Sequence, residues 1–526
     1  MIVNKHREQF RQELLAELNS AKTQTDRNRH GQFATPFKLA SEIVHHAVCM
    51  LPEDVEIRFL EPGFGTGPFY SALINSVFAG RVRAACGFEL DPHYGQAAQR
   101  LWTGNGLRLN IGDFTKTKPP KTQEGKFNLV VCNPPYVRHH HLSPTQKKDL
   151  QSAVAFYTNF KMHGLSGLYT YFMILSQAWM SEGGVGAWLI PSEFMDVNYG
   201  QKVKQFLLKK VTLHQVHHCN PQEVQFDDAL VSSAIVFFTN CPPSKNHKVV
   251  FSFGGSLRKP RLSHFVDTEY LRDIPKWRTL PQNGLASPSH NSDVTLANLF
   301  TIKRGVATGC NSFFILTPDC VQEHQISTDF LIPILPSPKH LETNEVISNQ
   351  NGTPKTKNGL FLLSCNVPQE KLRSMHPSLW RYLQHGVAAG VHERYLCRHR
   401  SPWYAQEVRP PAPLLFTYMG RPTKHRELPF RFILNHSKAT AANVYLLLYP
   451  KPPLASLFRN EPRMLKELWK ALSSIPPEML TGKGRLYGGG LHKMEPRELG
   501  NVPANTIRDL LSGKIEFVIE KQLTFF

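Results

Sequence analysis

The sequence lacks an apolar stretch long enough to cross a membrane, which requires ~20 residues. Its longest apolar stretches, around Val185–Pro191 and Ala229–Phe238, predict buried strands instead. The first twenty residues, MIVNKHREQFRQELLAELNS, carry charges throughout and lack the apolar core of a signal peptide. We therefore expect a helical extension over residues 1–30, a cytoplasmic protein and no membrane partner.

Paired cysteines and acidic residues are also scarce. The nine cysteines are scattered without any Cys-x-x-Cys pair, which argues against a zinc ribbon and a disulfide framework, and we expect no metal. Asp and Glu number 41 against 61 Lys and Arg, which gives a formal net charge of +20. A surplus of this size favours a polyanionic partner such as nucleic acid.

The chain shows two kinds of organisation and no internal repeat. Short apolar runs alternate with helical patterns over 31–245, as in a parallel, doubly wound sheet of Rossmann-like α/β type. The pattern decays after Asn240, and the loop-rich composition predicts a linker over 246–292. Mixed short apolar runs with many Pro, Gly and basic residues predict a second, α+β domain over 293–526.

A glycine-rich turn lies between a predicted strand and a predicted helix, in Phe59-Leu-Glu-Pro-Gly-Phe-Gly-Thr-Gly-Pro-Phe69. Gly63, Gly65 and Gly67 allow a tight turn and close approach of a ligand to the backbone. The turn is not a phosphate P-loop, because no Gly-Lys-Ser/Thr follows. Taken alone it is compatible with a dinucleotide, with S-adenosylmethionine or with no ligand.

Two acidic positions follow at the ends of the next predicted strands. Glu89 is placed to accept hydrogen bonds from the ribose hydroxyls of an adenosine ligand, NAD included. Asp113 is placed to accept from an adenine amino group, and Phe114 to pack on the ring. The alternatives are a helix N-cap for Asp113 and core packing for Phe114. The order of the three stretches favours a cofactor site.

An apolar strand runs directly into Asn133-Pro134-Pro135-Tyr136. The prolines fix the backbone and remove two donors, so the Pro134 carbonyl and the Asn133 side-chain oxygen are rigid acceptors. Two acceptors on an exocyclic amine would free its lone pair for attack on a methyl group. Tyr136 offers a ring face to the target base. The alternative is an ordinary loop with two prolines.

The motifs together resemble the γ class of adenine-N6 DNA methyltransferases of restriction–modification systems, with S-adenosylmethionine as cofactor and double-stranded DNA as partner. The resemblance implies that Thr35, in Gly31-Gln-Phe-Ala-Thr35-Pro36, closes over the methionine end of the cofactor. It implies that Glu61 meets the methionine amino group. It also implies that Phe226 stacks on the second face of the flipped base, with core packing as the alternative. A bacterial or phage protein is expected.

The second domain carries the residues expected to contact DNA. Leu296–Leu316 and Gly484–Leu499 resemble the opening and closing segments of the family's target-recognition domain. Basic residues also cluster further along the chain, with a solvated face as the alternative. The candidate DNA contacts are Lys303, Arg304, Arg421, Lys424 and Arg426, with Arg431 and Lys438 in the same cluster.

Three other functions remain open at this point. The Asn-Pro-Pro-Tyr chemistry also suits an RNA base amine or a protein glutamine amide. A catalytically silent DNA-binding specificity protein is the alternative from outside the enzymes. A fused endonuclease is disfavoured because only about 30 residues precede Thr35. A separate cognate restriction endonuclease is compatible with the sequence, as is a monomer or a homodimer.

Overall fold

The computed structural model describes residues 2–162, 164–196, 200–220, 232–274, 276–278, 280, 294–357, 359–422, 428–487 and 490–515. The chain forms two compact units. The first comprises Met1–Ser287 with Tyr487–Gly489, and the second comprises Pro288–Leu486 with Gly490–Phe526.

A nine-stranded sheet in the order β3-β2-β1-β4-β5-β7-β6-β8-β9 forms the centre of the first unit. Strands β1 to β5 are parallel, and β7 runs antiparallel between β5 and β6. The strands are β1 (Ile57–Glu61), β2 (Val82–Glu89), β3 (Leu107–Ile111), β4 (Phe127–Cys132), β5 (Met180–Pro191), β6 (Thr212–His218), β7 (Ser233–Thr239), β8 (Lys248–Gly255) and β9 (Pro260–Asp267).

Helices cover both faces of this sheet, as the apolar strands require. Neighbouring residues on one strand point to opposite faces, so Phe59 packs in one core cluster and Leu60 in the other. The helices are α1 (Ile2–Ser20), α2 (Gln24–His30), α3 (Phe37–Val48), α4 (Pro68–Ile74), α5 (Pro92–Trp102), α6 (Pro144–Thr158), α7 (Leu168–Ser176), α8 (Gly200–Lys209) and α9 (Thr268–Asp273).

The strand order reverses at β1. The chain moves outward from β1 to β2 and β3, and then returns to place β4 on the other side of β1. A crevice opens at the carboxyl ends of the strands at such a switch point, and ligands bind there in open α/β sheets. The predicted glycine turn follows β1, and the predicted Asn-Pro-Pro-Tyr motif follows β4.

The predicted linker over 246–292 is wrong in its first half. Lys248–Gly255 and Pro260–Asp267 are strands of the nine-stranded sheet, and Val249, Phe251 and Val266 are buried in its core. The exposed residues of these two strands, together with the glycines and lysines in and around them, give the segment a loop-like composition. Residues 281–293 lie outside the described part of the chain.

The second unit is a mixture of small sheets and helices, as the composition predicts. Its five-stranded sheet has the order β10-β18-β15-β17-β13, and the three-stranded sheets are β11-β14-β12 and β16-β20-β19. The strands are β10 (Phe300–Arg304), β11 (Ile315–Leu316), β12 (Leu331–Ile334), β13 (Glu345–Val346), β14 (Leu360–Leu363), β15 (Leu414–Thr417), β16 (Met419–Gly420), β17 (Phe432–Asn435), β18 (Tyr445–Pro450), β19 (Arg485–Tyr487) and β20 (Leu491–Lys493).

The helices of the second unit are mostly short and pack on these sheets. They are Leu296–Leu299, Asn311–Phe314, Pro318–Glu323, Gln369–Met375, Pro377–Ala388, Tyr395–Arg398, Pro452–Asn460, Arg463–Ser473, Pro477–Lys483, Pro496–Gly500 and Asn505–Leu511. Within the residues described for both units, we find no helix with the length and apolar character needed to span a bilayer.

Candidate active site

A cleft of about 1070 Å³ opens in the first unit at the switch point. Its walls include the predicted positions Thr35, Gly63, Gly65, Glu89, Asp113, Phe114, Asn133 and Pro135. The structure thus brings together side chains that are distant in sequence, because each follows the carboxyl end of a strand or lies just before α3.

The glycine turn is held against both neighbouring loops. Gly65 and Gly67 have φ values of +54° and +77°, which only glycine adopts readily. A Cβ on Gly63 would meet the carbonyl oxygen of Asn133 at 3.3 Å, whereas a Cβ on Gly65 would meet nothing within 4 Å. The loop is therefore packed on the Asn133 side and open at Gly65.

Glu89 ends β2 and faces the cleft. One carboxylate oxygen accepts a hydrogen bond from the Gly65 backbone N–H at 2.7 Å, and the other accepts from the Asp91 N–H at 2.8 Å. Burial raises the pKa of Glu89 despite these bonds. Each oxygen keeps a further lone pair, so the carboxylate remains able to accept hydrogen bonds from a diol.

Asp113 and Phe114 have the local roles that were the alternatives, a helix cap and core packing, and both also line the cleft. Asp113 caps a short 3₁₀ helix, since its Oδ1 accepts from the backbone N–H of Thr115 at 2.9 Å. Phe114 is 2% exposed and packs among aromatic rings of the core, including Phe88 at 5.4 Å between ring centroids. Both residues also line the cleft, so the local role does not remove them from it.

Glu61 lies at the end of β1, fully buried behind the glycine turn rather than on the cleft wall. Its Oε2 accepts from the Tyr70 N–H at 3.0 Å, while its Oε1 is buried without a partner among the described residues. Burial raises the pKa of Glu61 well above its ordinary value. An unpaired acidic oxygen next to the loop suits a cationic amino group.

The amide of Asn133 has a fixed orientation. Its Nδ2 donates to the carbonyl oxygen of Phe33 at 2.9 Å and to Thr35 Oγ1 at 3.1 Å. Because Phe33 presents an oxygen, the nitrogen must face it. Asn133 Oδ1 is then left buried and without a hydrogen-bond donor among the described residues. Thr35, which the resemblance places at the methionine end of the cofactor, lines the cleft and accepts a hydrogen bond from Asn133.

The following residues are equally constrained. No described residue donates to the Pro134 carbonyl, whereas the Pro135 carbonyl accepts from the Val137 N–H at 2.9 Å. The Tyr136 N–H donates to Gly31 O at 3.1 Å, and the Tyr136 hydroxyl donates to Leu189 O at 3.1 Å. Tyr136 is partly buried and is not part of the cleft wall.

Helix α1 was missed as part of the site. Arg11, Leu15, Asn19 and Lys22 from this N-terminal region line the cleft. Lys22 pairs with Asp91, and that hydrogen bond lowers the pKa of Asp91 although burial acts to raise it. In the sequence, α1 offers only a Glu8–Arg11 pair three residues apart. Such a pair is equally typical of a solvent-exposed helix face.

One wall formed by α6 and α7 was also missed. Leu142, Leu150, Leu168 and Phe172 bring apolar surface to the cleft, next to Phe114. A flat aromatic ligand group would find an apolar environment here.

The predicted DNA contacts are only partly described. Lys303 and Arg304 are exposed on β10, with the Arg304 guanidinium 4.3 Å from the Tyr418 ring centroid, and Arg421 is exposed after β16. Phe226, Lys424 and Arg426 lie outside the described residues. Arg431 does not belong to a surface cluster, because it is buried and donates to the Leu341 and Pro338 carbonyls.

The nine-stranded sheet with helices on both faces has the Rossmann-like α/β fold of the S-adenosylmethionine-dependent methyltransferases. A family model described as Eco57I restriction-modification methylase matches residues 96–225. A second, described as the C-terminal domain of Type II methyltransferase M.Eco57I, matches residues 285–520. Together they cover more than half of the chain, which belongs to this family of restriction–modification DNA methyltransferases.

Two curated relatives are similar over most of the chain. Type II methyltransferase M.AccI of Acinetobacter calcoaceticus is 26% identical over 489 residues, covering 90% of this chain and 85% of the relative. Type II methyltransferase M.XamI of Xanthomonas campestris pv. amaranthicola is 26% identical over 476 residues, covering 86% and 81%.

Two solved structures have a similar fold. The Type IIL restriction-modification enzyme MmeI in complex with DNA gives a TM-score of 0.54 at 13% identity, covering 95% of this chain and 66% of that one. The DrdV–DNA complex gives 0.51 at 12% identity, covering 88% and 55%. The chain thus spans about two thirds or less of these longer proteins, and the likeness concerns the fold.

Proposed function

We propose that this methyltransferase transfers a methyl group from S-adenosylmethionine to N6 of an adenine flipped out of double-stranded DNA. The observation that carries the proposal is Asn133 Oδ1, a buried acceptor that has no donor among the described residues and whose orientation is fixed by the bonds of its own amide nitrogen. An exocyclic amine supplies the hydrogens that this oxygen lacks.

The cleft suits the cofactor at several points. The open glycine turn at Gly65 and the acceptors of Glu89 favour an adenosine, with Asp113 and Phe114 at its base. The unpaired Glu61 Oε1 favours the methionine amino group. When bound, the cofactor supplies an electrophilic sulfonium methyl group.

The chain's own residues then prepare the nucleophile. Asn133 Oδ1 and the Pro134 carbonyl each accept one N–H of the target amine, which pulls the nitrogen toward tetrahedral geometry and localises its lone pair. The surplus proton leaves to solvent once the C–N bond has formed, so no strong base is needed. Tyr136 and Phe226 are proposed to hold the two faces of the base.

The biological setting follows from the same proposal. We propose that the second unit binds double-stranded DNA through Lys303, Arg304, Arg421, Lys424 and Arg426. The protein would protect bacterial or phage DNA in the cytoplasm beside a separate restriction endonuclease. A monomer suffices, since a palindrome is fully methylated in two visits, and a homodimer is compatible.

The test uses purified protein, methyl-labelled cofactor and unmethylated double-stranded DNA, with RNA and total protein as competing substrates. After digestion to nucleosides, the label is expected as N6-methyladenine from DNA alone. Label in N4-methylcytosine, in RNA or in glutamine would contradict the proposal. Asn133→Ala is the control, with cofactor binding retained and transfer lost.

A further inference from the structure

Arg11 on α1 is a buried cation with a well-defined fork of hydrogen bonds. The residue is 1% exposed. Its Nε and Nη2 donate to the two carboxylate oxygens of Glu8 at 2.7 and 2.8 Å, and its Nη1 donates to Thr66 Oγ1 at 2.9 Å. Burying a cation is costly unless it is paired in this way.

The fork is not saturated by these contacts. Each terminal nitrogen of a guanidinium carries two N–H groups, and each terminal nitrogen of Arg11 uses one. Arg11 lines the cleft, and its hydrogen-bond partners among the described residues are Glu8 and Thr66. A guanidinium that keeps an unused N–H on each terminal nitrogen can donate to a carboxylate.

The surroundings identify the end of the cleft at which Arg11 lies. Thr66 stands between Gly65 and Gly67 in the turn after β1. The charge of Arg11 acts on Glu61, lowering a pKa that burial raises. The contacts place the two groups in the same region, because Glu8, which pairs with Arg11, accepts from Ser71 Oγ, and Glu61 accepts from the N–H of the adjacent Tyr70. Glu61 Oε1 is buried there without a partner among the described residues.

We propose that Arg11 binds the carboxylate of the cofactor's methionine end, with Glu61 taking the ammonium group of the same amino acid. The inference rests on the proposed function, because it needs a cofactor with an amino acid end. Lys22 is a weaker candidate, since its charge is already paired with Asp91 and lies 4.9 Å from the Tyr94 ring centroid.

The experiment compares two adenosine thioethers by calorimetry. S-adenosylhomocysteine carries the amino acid end, whereas 5′-methylthioadenosine lacks it. Arg11→Met is expected to weaken S-adenosylhomocysteine binding by about 10- to 100-fold, the range of a lost charge-assisted bond. Binding of 5′-methylthioadenosine is expected to stay within about threefold, since its contacts remain.

A loosened α1 would give a different result. If Arg11 served only to hold the glycine turn, both ligands would lose affinity together, and that outcome overturns the inference, as does no loss for either ligand. Failure of the wild-type protein to bind S-adenosylhomocysteine overturns the proposed cofactor instead. Arg100→Met, an exposed charge on α5 outside the cleft wall, is the matched control and should change neither affinity.

The paired variant Glu8→Gln/Arg11→Met guards against misfolding. Arg11→Met alone leaves the Glu8 carboxylate unpaired, while the paired variant removes both buried charges. Its thermal unfolding reports whether α1 still packs. The same selective loss of S-adenosylhomocysteine binding in this variant supports the inference, and a normal affinity ratio between the two ligands contradicts it.

Discussion

Asn133 Nδ2 donates a hydrogen bond to the carbonyl oxygen of Phe33 at 2.9 Å. Phe33 belongs to the segment before α3, and Asn133 follows β4, so the bond joins two loops that are 100 residues apart. Its consequence is electrostatic as well as structural. The amide can face the segment only with its nitrogen, which leaves Asn133 Oδ1 without a donor among the described residues and available to the proposed substrate amine.

Replacing Asn133 by Asp tests this orientation. The carboxylate keeps the shape of the amide but places an oxygen against the Phe33 carbonyl, so the acceptor is no longer held in place. We expect the methyl-transfer rate to fall by roughly 10²- to 10³-fold, as for loss of one preorganised polar group. Calorimetry with S-adenosylhomocysteine should show nearly unchanged affinity. A fully active Asp variant would remove the need for a fixed amide.

Glu89 predicts a pH dependence of cofactor affinity. Burial raises its pKa above the ordinary value of 4.5, so it takes up a proton at a higher pH than an exposed carboxyl does. The protonated form is a poorer acceptor for the ribose hydroxyls. Affinity for S-adenosylhomocysteine should therefore fall as the pH decreases through this raised pKa. Glu89→Gln should bind more weakly with a flatter profile, and an equally steep profile would assign the titration elsewhere.

Glu61 predicts a conflict between stability and binding. Its folded-state pKa lies above the unfolded value, so ionisation opposes folding. Relative to Glu61→Gln, the wild type should lose stability as the pH rises from the unfolded pKa toward the folded one. Thermal unfolding is expected to show a Gln variant that is more stable at neutral pH and equal in acid, with weaker S-adenosylhomocysteine binding. A variant less stable at neutral pH would contradict this reasoning.

Tyr136 and Phe226 are predicted to stack on the target base. Tyr136→Ala and Phe226→Ala should each weaken binding of DNA with 2-aminopurine at the target by ~1–3 kcal/mol. Each should also reduce the fluorescence gain on flipping. Tyr136→Phe is the milder control, since it keeps the ring and removes only the hydroxyl, which donates to Leu189 O. Unchanged fluorescence in Phe226→Ala would make Phe226 a packing residue.

Arg421 and Arg431 are predicted to behave differently although they are close in sequence. Arg421 is exposed, and Arg421→Ala should weaken DNA binding across sequences and reduce the salt slope by about 1. Arg431 is buried against carbonyl groups, so Arg431→Met should lower the melting temperature instead. Titrations at several salt concentrations, with melting curves, separate the two effects. Equal salt slopes for both variants would contradict the burial of Arg431.

The sequence predicts the catalytic core well because its signals are local. The strand Phe127–Cys132 runs directly into Asn133, as the sequence predicts, because a short apolar run defines it. The family model that supports the resemblance matches residues 96–225, which include this strand and Asn133. Asn133, Glu89 and Gly65 lie in one cleft because β4, β2 and β1 are neighbours in the sheet and their carboxyl ends lie at the same edge.

What the sequence does not predict depends on long-range contacts. Nothing in the composition of α1 indicates that Arg11 reaches Thr66, 55 residues away. The last two strands of the sheet, β8 and β9, resemble a linker in composition, because many of their residues are exposed, most of them on the edge strand β9. From its charge alone, Arg431 is predicted to contact DNA. The structure shows instead that its guanidinium is buried and donates to backbone carbonyl groups.

The most direct test is methylation-sensitive long-read sequencing of plasmid DNA from cells that express this chain or its Asn133→Ala variant. The proposed mechanism predicts N6-methyladenine at one short motif in the wild-type sample and none with the variant. Unmodified adenines in cells that contain folded wild-type protein, or equal methylation with the variant, would contradict it.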